Sequence, residues 1–489
     1  MLLSLRRTVS LLLCSVLLVG VFAAAPLAAD ADAVPVRVVC TYYGDSKTSR
    51  GFSWATAAEV PSVVRVVLKE SESEILGADA VAVLGKPTKF QGDWVHQLTV
   101  SGLAAGKEYA YVVGDGTNWS TVGHFKTDAG RGIETNFIVI ADVQASSAED
   151  FNKAAEVFAA AYERLPSPDF HVNLGDYVND CTADEWNWYF DAFADLNNRA
   201  THAPVAGNHD GNLKWNWFKN MFQLKEQAGS VNLTGTYYSF DSGDAHFAVL
   251  NTNDMYPMSY QQRNWLINDM NATDAQFKII LMHRAAYSAG KNINKPDTLI
   301  MRNVLLPIIE DLGVDLVLTG HDHMYYRSYP VAGGAIAGDF DLTNTPDTQE
   351  GSVFPPASEA SYTDPGAPIH IVPNTAGTKR YRVYAAMKPI LDVGARIFQP
   401  DLPVYSTVKI NDGVLEFNAY AYDAETKTDA LFDTLKITKT TTNTPNTDDP
   451  LPTGFIETLP QLLLSLTYEL VRVIVEDYIL KLLPQALGL

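Results

Sequence analysis

The chain has 489 residues, 47% of them apolar and 11% aromatic, with a formal net charge of -21 and a pI near 4.8. This length exceeds one ordinary domain and the apolar content excludes disorder of the whole chain. The acidity argues against nucleic-acid backbones as a main partner, and the few cysteines exclude a disulfide scaffold.

At the amino terminus, Arg6 and Arg7 precede an apolar run from Val9 to Ala25 that passes into small residues up to Ala29. This is the order of a secretory signal, read over residues 1–33 with cleavage after Ala25, Ala29 or Ala33. The mature protein is therefore expected to be secreted or at the cell surface. The run is short for a membrane span, and Cys14 lacks the small residues that lipid attachment would need before it. Cys40 and Cys181 remain, and an oxidising compartment would allow them one bridge.

Residues 34–130 show short strand-like runs such as Val63 to Val67 and His96 to Val100, separated by turn residues including Gly44, Asp45 and Gly114-Asp115-Gly116. That spacing predicts a small β-sandwich. From Asn136 the rhythm changes, and residues 131–438 form a second unit. Apolar runs at Phe137 to Ile140, His171 to Leu174, Phe247 to Leu250, Lys278 to Met282 and Leu316 to Leu318 alternate with helical stretches at Glu149 to Leu165, Glu185 to Leu196, Gln261 to Met270 and Asp297 to Leu312. Strands this apolar are expected to be buried on both faces, between helices.

Residues 332–366, rich in Gly, Asp, Thr and Pro, are expected to be a long excursion loop. Closing strands follow at Pro368 to Pro373, Val404 to Ile410, Val414 to Tyr422 and Asp433 to Ile437, with a hairpin turn at Asn411-Asp412-Gly413. Residues 439–453 read as a linker and 454–489 as an amphipathic helical tail interrupted only by Pro460 and Pro484. The tail's charges divide it into runs too short for a span. It is suited to self-association, docking on its own domain, or contact with a membrane surface.

Five short segments place hard oxygen and imidazole ligands at or just after strand ends, where loops converge on one sheet edge. They carry Asp142 and Gln144, Asp176, Asn208 with His209 and Asp210, His283, and His321 with His323. One such segment is ordinary turn chemistry; five in one domain are hard to obtain that way. Carboxylate, amide oxygen and imidazole together suit borderline-hard ions such as Mn, Fe or Zn. Two cations about 3.5–4 Å apart can hold a hydroxide, lower its pKa and stabilise charge on phosphoryl oxygens during in-line displacement.

The set Gly207-Asn208-His209-Asp210 and Gly320-His321-Asp322-His323, with Tyr326, Arg327 and Pro330 following, resembles the calcineurin-like metallophosphoesterase superfamily. In front of it, Trp54, Leu103, Gly106, Tyr109, Tyr111, Trp119 and Phe125 resemble the fibronectin type III-like module that precedes purple acid phosphatases. The resemblance implies a four-layer α/β (α+β) metallophosphoesterase sandwich preceded by an all-β fibronectin type III-like sandwich, with the amphipathic helix appended. It also implies two divalent or trivalent metal ions. Asp176 would bridge them, Asp142 and His323 would complete the first site, and Asn208, His283 and His321 the second. His209 would bind a phosphoryl oxygen or protonate the leaving group, with Asp210 orienting its ring. Arg284 and Arg327 are candidate phosphate contacts, although an arginine at the second position more often forms a structural ion pair.

Two positions depart from purple acid phosphatases. Gln144 stands where they have Gly, and Asn179 where they have the tyrosine that gives an iron chromophore, so no such colour is expected. Gln144 would offer the first metal only a weak amide oxygen. Trp186, Trp188, Tyr189, Phe190, Trp215, Trp217 and Phe218 fit a pocket wall and core packing equally. His171 and His246 read as structural. The expected activity is hydrolysis of a small phosphate ester, foremost a monoester. A phosphodiesterase or nucleotide pyrophosphatase with the same centre is one alternative, and a surface binding protein with a vestigial metal site is another.

Overall fold

In the computed structural model the described residues are 31–211, 216–227, 235–253, 259–338, 347–350, 357–384 and 390–445. The expected signal segment up to Asp30, the end of the linker, the tail at 454–489, and Trp215 lie outside them.

Two large sheets form the second unit. In the first, Thr135–Ile140, Phe170–Asn173 and Thr201–Pro204 run parallel, and the antiparallel strands Val404–Asn411, Val414–Asp423 and Thr428–Thr438 extend it on one side. In the second, Ala245–Leu250, Phe277–Met282, Leu316–Thr319 and Ile369–Pro373 run parallel, with Tyr238–Ser242 and Tyr325–Ser328 antiparallel to their neighbours. The parallel strands are buried on both faces, as their unbroken apolar runs predict. Phe137, Val139 and Phe170 of one sheet share a core with Phe247, Ile279, Leu281 and Leu318 of the other.

Helices cover the outer faces, completing four layers. Ala148–Arg164 starts at Ser147, whose side chain accepts from Asp150 N; Ala183–Asn197 starts in a capping box of Thr182 and Glu185. These two pack on the first sheet through Phe158, Trp186, Tyr189 and Phe193. Tyr260–Ala272 and Pro296–Asp311 cover the second through Leu266, Met270, Leu305 and Ile309. The aromatic cluster is core: Trp186, Tyr189 and Phe218 are 0% exposed, and Trp188 packs against it half-buried.

The amino-terminal unit is an all-β sandwich. The four-stranded sheet Val81–Gly85, Ser62–Leu68, Glu108–Gly114, Gly123–Lys126 packs against Val36–Tyr42, Ser49–Thr56 and Asp93–Ser101 through Trp54, Val64, Tyr111 and Phe125. Its second sheet does not end at the domain boundary. Val36–Tyr42 joins Thr201–Pro204 in parallel register, Thr41 opposite His202, so the sandwich and the α/β unit share one continuous sheet. Arg50 fastens the junction, reaching Thr201 Oγ1 at 3.0 Å and the carbonyl of Lys126.

Two expectations change. Within 332–366, Ser358–Thr363 pairs in parallel with Thr428–Thr438 at the edge of the first sheet, and Asp347–Glu350 pairs with Gly394–Gln399, a strand the sequence reading passed over. The start of the linker is docked: Lys439 pairs with Asp315 at 2.9 Å and Thr440 bonds Asp364. Cys40 and Cys181 are both buried, and no disulfide joins them.

Candidate metal centre

Register decides where the site forms. Ile140, Asn173 and Pro204 are aligned across the first sheet, and Leu250 and Met282 with Thr319 across the second. The loops that follow all leave from one edge, carrying Asp142, Asp176, Asn208 and His209 on one side and His283, His321 and His323 on the other.

The turns are tight enough to need unusual backbone. Asp142, Asp176 and His321 have φ of 51°, 55° and 71°, a left-handed conformation costing about 1–3 kcal/mol each in residues of this kind, and one that clusters at functional sites. Gly207 is required by contact: a Cβ there would lie 2.0 Å from Asp176 N. Backbone amides then orient the carboxylates, with His209 N donating to Asp176 Oδ1 at 2.9 Å and His321 N to Asp142 Oδ1 at 3.0 Å.

Six expected ligands gather here. Asp142, Asp176 and His323 place one donor atom each within 4.8 Å of one another, as do Asp176, His283 and His321, so Asp176 belongs to both groups. Asn208 Oδ1 is 3.1 Å from His283 Nε2, which lies 3.2 Å from Asp176 Oδ2. The outer nitrogens of two rings are engaged: His283 Nδ1 with Leu174 O at 2.8 Å and His323 Nδ1 with Lys379 O at 2.7 Å. That fixes the tautomers and turns each Nε2 inward, as metal-binding histidines require. His321 Nε2 is buried without a partner. Burial, and next the Arg284 charge, hold the His321 pKa well below the usual range, favouring the neutral imidazole that binds a cation. Burial would lower His283, but the charge of Asp176 and its hydrogen bond push it up to about 9. A metal ion bound there would displace that proton. An orphaned buried nitrogen, inward-facing imidazoles and a shared carboxylate fit a pair of metal ions.

The remaining predicted residues fall differently. Asp210 does not orient His209: its buried carboxylate accepts from Gly207 N at 2.7 Å, Asp176 N at 2.9 Å and Tyr177 N at 2.6 Å, tying two ligand loops together. His209 is held instead by the Asn179 carbonyl at its Nδ1. Arg327 leaves the substrate set, because it is buried in the strand Tyr325–Ser328 and pairs with Asp433 at 2.7 and 3.0 Å. Arg284 is buried beside the second donor group, close enough for its charge to act on His321. Gln144 does lie in the centre, but its Oε1 accepts from Lys379 Nζ at 2.9 Å while its Nε2 faces Asp176 Oδ2 at 3.0 Å and His323 Nε2 at 3.3 Å. In this orientation it braces ligands rather than offering an oxygen. His171 and His246 are structural as expected, bonded to Tyr162 and to Asp241 with Asp269.

The sequence reading missed the strap after Ile369–Pro373. Thr375 Oγ1 donates to Asp142 O at 2.7 Å, Ala376 N to Ala141 O at 2.9 Å, and the Tyr381 ring stacks on His323 with centroids 4.2 Å apart. Its signal was Lys379, Arg380 and Arg382, a basic cluster at a strand end of an acidic chain.

A four-layer α/β sandwich with a shared-carboxylate donor cluster at the common edge of its strands defines a metallophosphoesterase centre. Residues 135–325 match the calcineurin-like phosphoesterase family and residues 35–127 the purple acid phosphatase N-terminal domain, so the chain carries a calcineurin-like phosphoesterase domain behind a purple acid phosphatase N-terminal domain. It is similar to an uncharacterized protein of Mycobacterium tuberculosis, 29% identical over 210 residues that cover 38% of this chain and 39% of that protein's length. It is also similar to acid phosphatase type 7 of Danio rerio, 21% identical over 401 residues covering 74% of this chain and 81% of the relative. The fold of purple acid phosphatase PPD1 from yellow lupin (Lupinus luteus) seeds matches with a TM-score of 0.63 at 15% identity, over 83% of this chain and 75% of that one.

Proposed function

We propose that this protein is an exported, acid phosphatase-like enzyme that hydrolyses small phosphate monoesters with two bound metal ions. What carries this reading is the geometry at Asp176, common to both donor groups, together with His209 at the same edge. The names of the relatives that match over most of this chain support the monoester over other phosphate esters. Among the described residues no helix is long and apolar enough to cross a membrane; export rests on the amino-terminal signal pattern.

Asp142 and His323 with Asp176 would hold one ion, and Asn208, His283 and His321 with Asp176 the other. Mn, Fe or Zn suits these donors. Bound there, the ions would supply Lewis acidity toward phosphoryl oxygens and an acidified water. The protein's part is positional. His209 Nδ1 donates to the Asn179 carbonyl, leaving Nε2 as the ring atom for the substrate. Protonated at Nε2, the ring would give a proton to the departing alkoxide. Asp210 keeps the loops of Asp176 and Asn208 at fixed separation, so the ligands need no reorganisation on binding.

The test is phosphate release from p-nitrophenyl phosphate and from its bis-ester, by the mature protein before and after chelation, with metal content measured in parallel. We expect stoichiometric metal, activity lost on chelation and restored by metal, and preference for the monoester. Stoichiometric metal with neither ester cleaved overturns the reading in favour of a binding protein, and a preference for the bis-ester makes it a phosphodiesterase.

A further inference from the structure

Lys379 belongs to the strap over the first donor group and to none of the motifs. Its half-buried ammonium donates to Gln144 Oε1 at 2.9 Å and to Asn179 Oδ1. Both acceptors are neutral amides, and among the described residues no carboxylate pairs with it. Taking an ammonium partly out of water for neutral acceptors alone is unfavourable. An ammonium has three N–H donors, and two are engaged here, leaving one to point away from the amides.

Its neighbours fix the direction. The Gln144 amide it holds is the one that faces Asp176 and His323, so Lys379 stands one amide group from the bridging carboxylate. The Asn179 it holds is the residue whose carbonyl holds His209. Asn179 therefore couples the His209 ring and the Lys379 ammonium, placing both on one side of the centre. Lys291 adds a second ammonium beside the strap, 3.7 Å from the centre of the ring of Tyr381, two residues beyond Lys379. In a chain of net charge -21, local positive charge at this edge counters the general repulsion of a phosphate.

We propose that Lys379 is a substrate-binding residue whose free N–H takes a non-bridging oxygen of the phosphoryl group, with Gln144 and Asn179 as the two amides that aim it. Lys379 thus uses the positions at which this chain departs from the tyrosine-bearing enzymes: the amide oxygens are committed to an ammonium rather than to a metal. The inference rests on the phosphoesterase reading for its substrate, but a binding measurement tests it separately.

Inorganic phosphate is titrated calorimetrically into the metal-loaded full chain and into Lys379→Met and Lys379→Arg, with metal content measured by elemental analysis and folding checked by thermal unfolding. Loss of one charge-assisted hydrogen bond predicts phosphate affinity about tenfold weaker in Lys379→Met, at unchanged metal content, with most of the loss recovered in Lys379→Arg. With p-nitrophenyl phosphate, KM should rise by a like factor and kcat change less. Phosphate affinity within twofold of wild type in Lys379→Met overturns the proposal. So does a fall in metal content that accounts for the loss, which would make Lys379 a brace for Gln144 only. If wild type binds phosphate but cleaves neither ester, the proposed activity fails while the calorimetry still judges Lys379.

Discussion

Asp176 concentrates the chemistry in one side chain: it touches both donor groups and receives the backbone N–H of His209. Replacing it with Ala removes the shared ligand, and since even outer partners of a metal site cost about 10–100-fold, activity should fall by more than about 100-fold. Metal content should fall below two ions per chain, as elemental analysis will show. Asp210 works on the loops instead. Asp210→Ala leaves three buried backbone N–H groups without their acceptor, a loss on the order of 3 kcal/mol or more, read from denaturant unfolding. His246, outside the donor cluster, contributes to the pH dependence of stability. Burial lowers its pKa, but hydrogen bonds to Asp241 and Asp269 and their charges raise it to about 9. A group raised in the folded state contributes its stability fully below its unfolded value of about 6.5 and loses it as pH rises through about 9. Thermal unfolding should therefore weaken between those limits by a few kcal/mol at most, and His246→Gln should flatten that stretch of the profile.

At the level of elements, helices and buried strands were readable because each carries its own period. The helix over Glu185 to Leu196 is found at Ala183–Asn197, extended to the cap at Thr182. Glu185 closes that cap and also accepts from Asp180 N, beside Asn179. Glu185→Ala should therefore cost about 1 kcal/mol, the usual worth of a cap, visible as a lower denaturant midpoint. The segment 332–366 was hidden by its composition. Ser358–Thr363 is half-exposed at a sheet edge and acquires strand character only from Thr428–Thr438, 65 or more residues further on. The aromatic residues around Trp186 show the converse limit, since helical spacing is the same for a core and for a pocket wall.

For the molecule as a whole, the continuous sheet is the feature no local pattern announces. Thr41 opposite His202, and Arg50 reaching Thr201 and Lys126, make the sandwich part of the α/β unit's edge. Expressed alone, residues 131–445 would expose the strand Thr201–Pro204 as an unpaired edge. Aggregation or a clearly lower melting temperature is expected by light scattering and calorimetry, whereas a fragment as stable as the parent would mean that the junction contributes little. The centre draws ligands from both large sheets, so metal binding also joins them. Chelation should lower the melting temperature, and excess metal raise it, in proportion to the logarithm of free metal concentration.

The sequence by itself determined the order of units, the buried strands and the identity of the residues that meet at Asp176, because ligand chemistry at strand ends is written locally. Which of their neighbours serve the site was decided only by tertiary structure. Gln144 and Asn179 turn their oxygens to Lys379, Asp210 ties backbone amides, and Arg327 goes to Asp433. A polar side chain's role depends on which partner reaches it first, and here the partners lie far along the chain: Lys379 from Gln144 by 235 positions and Asp433 from Arg327 by 106.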